Sequence, residues 1–191
     1  LIAKALVLLR GAGLKGDYHI HVKKKVPAGA GLGGGSANAA FTLNAFNKIE
    51  NLGLTYEELT DLAQRLGSDV PFFLNNQDVI AEGTGTRLTP VAIRPPFYIV
   101  TAFPGIHSST ADAYMACEPD ADRISLKKVL SMPDPVEDWP LMLQNDLEPA
   151  VISRIPDVGF FKDRMLEMGA FYSSMTGSGS AVFGLFEQEF V

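Results

Sequence analysis

Pro27-Ala28-Gly29-Ala30-Gly31-Leu32-Gly33-Gly34-Gly35-Ser36-Ala37-Asn38-Ala39-Ala40 sets five glycines directly against a run of helix-forming residues. Those glycines strip most Cβ atoms from a short loop, so its backbone N–H groups can converge on an oxygen anion and positive φ costs little. The helix expected to open near Ser36 adds its unpaired N-terminal N–H groups and the positive end of its dipole. Such a junction is built to hold a phosphate.

Glycine-rich patterns are common, and several known phosphate loops compete for this one. Gly29-x-Gly31-x-x-Gly34 formally fits the dinucleotide fingerprint and follows the strand-like His19-Ile20-His21-Val22. That fingerprint needs a strand after the helix, ending in an acidic residue about 20 positions on, whereas here a second helix is expected from Thr55. A P-loop needs Lys before its Ser/Thr, and Gly35-Ser36 has none. A protein-kinase loop joins two strands, but this one runs into Ala37, Ala39, Ala40, Leu43, Ala45 and Phe46 at helical spacing. A flexible linker would not be welded to such a helix.

Outward from the loop, Ile2 to Arg10 reads as a helix stopped by Gly11 and Gly13, and Tyr18 to Val26 alternates as a strand leading into the glycines. Thr55-x-x-Glu58 is a capping box, followed by Leu59, Leu62, Ala63 and Leu66 at helical spacing and by Gly67 as a stop. Ser68-Asp69 then falls on the turn leaving a helix, before an apolar run, Val70 to Leu74, expected to be a buried strand. Val79 to Ala81 and Leu88 to Ile93 suggest strands around a Gly83/Gly85 turn. Arg94-Pro95-Pro96 breaks the pattern and marks the boundary between domains 1–96 and 97–191. Beyond it Phe97 to Phe103, Phe171 to Met175 and Ala181 to Phe186 read as strands, and Asp146 to Ile152 and Val158 to Met168 as helices.

The apolar fraction of 47% over 191 residues is ordinary for a globular chain with a real core. A formal net charge of −6 argues against a nucleic-acid surface. No apolar stretch reaches the length of a membrane span, and Leu1 to Leu9, although apolar, is followed by a turn and no Ala-x-Ala cleavage site. Cys117 is the single cysteine, which fits a reducing, cytoplasmic setting and excludes an intrachain disulfide. Three histidines and one cysteine show no zinc-ligand spacing.

Pro27-x-Gly-x-Gly-Leu-Gly-Gly-Gly-Ser-x-Asn-Ala-Ala resembles the phosphate loop of the GHMP small-molecule kinases, named for galactokinase, homoserine, mevalonate and phosphomevalonate kinases. Five further motifs follow in the family's order. They are Leu66-Gly67-Ser68-Asp69-Val70-Pro71-Phe72-Phe73, Ala81-Glu82-Gly83-Thr84-Gly85, Pro104-Gly105 with Thr110, Asn145-Asp146-Leu147-Glu148, and Met175-Thr176-Gly177-Ser178-Gly179-Ser180. The stretch from Glu118 to Trp139 carries no motif. The resemblance implies an α+β fold of two lobes, the first like the second domain of ribosomal protein S5 and the second ferredoxin-like, with the active site between them. It also implies strands before Leu1, one bearing a Lys for which Lys4 is no counterpart, and a further helix and strand after Phe186.

Phosphoryl transfer from ATP to an alcohol needs the phosphates held, their charge neutralised, and the hydroxyl aimed and deprotonated. Pro27, Gly29, Gly31, Leu32, Gly33, Gly34, Gly35 and Ser36 are the candidate ATP-binding residues. The Ser36 hydroxyl can donate to a phosphate, bind Mg²⁺ or simply cap its helix. Asp69 is the candidate base, and by resemblance it matches the family's catalytic Asp. The turn at 176–180 is implied to narrow the cleft near the first loop. Lys24, Thr110 and Tyr114 match acceptor-binding positions in the branch whose small-molecule substrate is a cytidine diphosphate sugar alcohol. His21 and His107 read as solvated or structural. The resemblance leaves open another GHMP kinase with a different alcohol, and a non-catalytic nucleotide-binding paralogue.

Overall fold

Apolar side chains at helical spacing, several of them alanine, build the N-terminal part of the molecule. The computed structural model describes residues 1–93, 97–120, 122–132 and 138–187. They fall into two units, Leu1–Lys25 with Gly33–Ala92, and Val26–Leu32 with Ile93–Val191. The Arg94-Pro95-Pro96 breaker lies outside the described residues.

In the first unit, α1 (Ile2–Gly11), α2 (Gly34–Ile49) and α3 (Tyr56–Leu66) converge on one core. Ala5 and Leu9 of α1, Ala39, Ala40 and Leu43 of α2, and Leu59, Leu62, Ala63 and Leu66 of α3 are buried there together. Four of these are alanines with no exposed surface, and small side chains at a contact let helix axes approach closely. The capping box forms as the sequence predicts: Glu58 N–H donates to Thr55 Oγ1 at 3.2 Å, and Thr55 N–H to Glu58 Oε2 at 2.8 Å.

Two expected strands do not form. Val70–Leu74 is a turn running into the short helix α4 (Phe72–Asn75), because Pro71 holds φ −57° and ψ −35°, a backbone already set for a helix. The segment from Tyr18 to Val26 has strand-like alternation but no ladder: among the described residues no backbone hydrogen bond joins it to another segment. Ile20 and Val22 accordingly remain exposed, and alternation without a partner does not make a strand. The expected hairpin does form, from β1 (Val79–Glu82) and β2 (Arg87–Pro90), paired antiparallel from Val79↔Pro90 to Glu82↔Arg87.

The second unit is a three-stranded antiparallel sheet of β3 (Tyr98–Ala102), β4 (Tyr172–Met175) and β5 (Val182–Phe186), in the order β3-β5-β4. Its connecting segments carry α5 (Thr110–Met115), α6 (Leu126–Leu130), α7 (Trp139–Met142), α8 (Glu148–Ile152) and α9 (Pro156–Glu167). Alternation along β5 sends Val182 and Phe186 into a core with Val151, Val158 and Met165, and Leu185 into another with Trp139 and Tyr172. Both faces of the sheet are therefore covered, which explains why Ala181 to Phe186 reads as an unbroken apolar run.

Among the described residues of this unit, Glu148 is the one buried carboxylate, 9% exposed. Its Oε1 accepts from Met175 N–H at 2.6 Å and from Ser174 Oγ at 2.9 Å, while Oε2 pairs with Lys162 Nζ. We expect Glu148→Ala to cost about 2–4 kcal/mol in urea unfolding, because it orphans a buried N–H and an ammonium together. Lys162→Ala should cost clearly less, since Glu148 keeps two donors. Equal losses would show that the ion pair, and not the backbone contact, dominates.

Candidate active site

The glycine-rich loop alternates in backbone handedness. Gly29, Gly31 and Gly33 have φ of 72°, 78° and 63°, while the intervening Ala30 and Leu32 stay on the negative side. Alternation of this kind is the pattern from which anion-binding nests of N–H groups are made. Gly33, left-handed, is the N-cap of α2, so Gly34, Gly35 and Ser36 are its first three helical residues. The helix thus opens two residues before Ser36, and the reading of Ser36 as a cap is corrected: its hydroxyl has no capping duty.

Three successive carbonyls of the loop are tied within the second unit. Gly29 C=O meets the His107 ring at Nδ1 (3.2 Å), Ala30 C=O accepts from Ala181 N–H (3.0 Å), and Gly31 C=O accepts from Thr176 Oγ1 (2.8 Å). The approach at Gly31 is so close that a Cβ there would lie 2.2 Å from the Thr176 carbonyl oxygen.

The Thr176–Ser180 turn is in its turn stapled by Asn145. The Asn145 amide donates to Met175 C=O at 3.0 Å and Gly177 C=O at 2.8 Å, and its Oδ1 accepts from Leu147 N–H at 3.0 Å. This gives the Asn145-Asp146-Leu147-Glu148 motif a structural account, with Asp146 paired to Arg123. Thr110 Oγ1 and Ser178 Oγ share a hydrogen bond of 2.8 Å, linking the start of α5 to the same turn. One helical turn further along α5, Tyr114 is 66% exposed.

In the first unit, Asp69 is exposed on the turn between α3 and α4 and accepts from Ser68 Oγ at 3.3 Å. The hairpin turn packs beneath it, since a Cβ on Gly85 (φ 84°) would lie 3.4 Å from the Ser68 carbonyl oxygen. That contact and its positive φ account for Gly85, while Gly83 answers to its own φ of 65°. Lys24 is exposed, its Nζ 3.5 Å from the Gly34 carbonyl at the head of α2. Lys24, Gly33 to Ser36 and Asp69 thus belong to the first unit, and Pro27 to Leu32, Thr110 and Tyr114 to the second. His107 and Ala181 are loop contacts that sequence reading missed; His107 lies 78 residues from Gly29, and no local pattern marks either residue.

Residues 1–77 match the family described as GHMP kinases N terminal domain, and residues 137–190 match GHMP kinases C terminal. A protein of Parabacteroides distasonis named 4-diphosphocytidyl-2-C-methyl-D-erythritol kinase is 41% identical over 189 residues, covering 98% of this chain and 69% of that relative. The chain belongs to the GHMP kinase family. A second relative of the same name, from Citrifermentans bemidjiense, is 44% identical over 173 residues, covering 89% of this chain and 60% of its own length. Among solved structures, one of 4-(cytidine 5'-diphospho)-2C-methyl-D-erythritol kinase superposes with a TM-score of 0.76 at 34% identity, over 96% of this chain and 67% of that one. A homoserine kinase of Cytophaga hutchinsonii shares the GHMP fold with a TM-score of 0.68 at 22% identity, over 97% and 65% of the two chains. The two-lobed α+β expectation holds for this family member, and GHMP kinases are ATP-dependent phosphotransferases.

Proposed function

We propose that this GHMP kinase transfers the γ-phosphoryl group of ATP to the 2-hydroxyl of 4-diphosphocytidyl-2-C-methyl-D-erythritol, a step of non-mevalonate isoprenoid precursor biosynthesis. The observation that carries this reading is the likeness to relatives of that name at 41% and 44% identity, over nearly the whole chain in the first case. The homoserine kinase likeness speaks to the fold alone.

In this reading the loop N–H groups and the first turn of α2 receive the phosphates of ATP, and the left-handed glycines suit such a cradle. Ser36 Oγ, free of capping, would hold Mg²⁺, which neutralises phosphate charge when bound. Asp69 takes the proton from the acceptor hydroxyl as its oxygen bonds to the γ-phosphorus and the bond to the β–γ bridging oxygen breaks, releasing ADP. Lys24 faces an acceptor phosphate, Thr110 lines the acceptor site, and Tyr114 offers its exposed ring to the cytosine. Among the described residues no helix is long and apolar enough to cross a membrane, and we place the protein in the cytoplasm with its small-molecule substrates.

A panel of alcohols assayed with the full-length protein tests the reading. The cytidine diphosphate sugar alcohol should be phosphorylated and mevalonate, homoserine and galactose ignored; the reverse would leave a GHMP kinase of other specificity. No turnover of any alcohol, with nucleotide still bound, would identify a non-catalytic paralogue. Tyr114→Ala should raise the acceptor KM by the equivalent of about 1–3 kcal/mol, the scale of base–aromatic stacking, and leave the KM for ATP alone.

A further inference from the structure

We propose that His107 is a positioning residue of the phosphate loop, acting by holding the Gly29 carbonyl turned away from the bound nucleotide; this rests on the reading of the loop as the ATP site. A carbonyl oxygen aimed at a phosphate repels it, so an anion loop works only while its carbonyls are directed elsewhere and its N–H groups inward. Here the carbonyls of 29, 30 and 31 are each occupied by a separate donor. The Ala30 bond is backbone to backbone, and the Gly31 bond comes from a motif residue already tied to its own turn. The Gly29 bond depends on one side chain on the segment between β3 and α5.

Chemistry assigns the proton. Gly29 C=O can only accept, so the ring presents Nδ1–H to it and leaves Nε2 on the far side. The Nδ1–Cε1 edge of the ring comes so close to the loop that a Cβ on Gly29 would fall 2.4 Å from Nδ1, and the φ of 72° favours glycine there as well. On its other flank His107 borders a cavity of about 200 Å³ also walled by Ser109, Asp112 and Arg154. That space lets an amide side chain replace the ring without repacking a core. Asp112 and Arg154 are paired with each other at 3.3 Å and do not compete for Nδ1.

The test exploits the difference between two amides. Asn places its Nδ2 where the ring has Nδ1, whereas Gln places its nitrogen near the position of Nε2. His107→Ala and His107→Gln should raise both the KM for ATP and the ADP dissociation constant by about threefold to tenfold, the worth of one neutral hydrogen bond. The acceptor KM should stay within about twofold, and His107→Asn should restore nucleotide affinity. Ala, Asn and Gln variants that bind ADP as the wild type does would overturn the inference, as would equal weakening of ATP and acceptor. ADP titration needs no turnover, so it separates the possible failures. A wild-type protein that binds no adenine nucleotide would bring down the loop assignment together with this role for His107, whereas an active wild type with indifferent variants brings down His107 alone.

Discussion

Asp69→Asn is expected to lower kcat by about a hundredfold or more, the lower end of what a general base contributes, with ADP affinity nearly unchanged. The substitution keeps the shape of the side chain and can preserve a contact with the Ser68 hydroxyl, but an amide cannot take a proton at neutral pH. The motivating observation is an exposed carboxylate on a turn fixed from both sides, by the capped helix α3 before it and the Pro71-initiated helix α4 after it. A pre-steady-state measurement separates chemistry from product release. Should the phosphoryl-transfer step in the Asn variant run at the wild-type rate, Asp69 takes no part in it.

Gly31→Val is expected to weaken nucleotide binding by about a hundredfold or more while circular dichroism and thermal unfolding still report a folded protein. Two costs coincide at this position. A branched residue at φ of 78° is strained by roughly 1–3 kcal/mol, and its Cβ would stand 2.2 Å from a backbone oxygen that has no flexible end to move aside. The loop must therefore leave its seat on Thr176. Gly53, with φ of 70° and nothing within 4 Å of a built Cβ, supplies the control. Gly53→Val carries the strain without the collision and should lose stability without losing nucleotide. Calorimetry showing intact binding in folded Gly31→Val would refute the assignment of this loop to phosphate.

The fold was legible where a local rule has no competitor. The Thr55 capping box, the Gly67 stop, the hairpin around Gly83 and Gly85, and the paired strands flanking 176–180 all follow from spacing and turn chemistry. Errors came where the outcome depends on a distant partner. Tyr18 to Val26 has the period of a strand, but a ladder requires a second backbone that periodicity cannot supply. Val70 to Leu74 is apolar enough for either state, and Pro71 tips it to helix. The short helices α5, α6 and α7 leave no mark in the sequence because four to six residues are too few for a period to show. Around the candidate site, the alternating glycines announced their own backbone, since left-handed residues need them. The partners of their carbonyls did not, because His107, Thr176 and Ala181 are separated from the loop by 78 residues or more.

That separation sets an order of events when the chain folds. The helices α1 to α3 close contacts between residues that are near in sequence, and such contacts form early because little chain entropy is lost in bringing them together. The bond from Thr176 to Gly31 spans 145 residues, and during synthesis its donor leaves the ribosome long after α2 is complete. Gly29 to Gly31 therefore wait, unshaped, beside a helix that is already formed. The loop acquires the geometry described only once Thr176 and Ala181 are in place, so under the proposed function a nascent chain would capture no nucleotide there before the C-terminal sheet has closed.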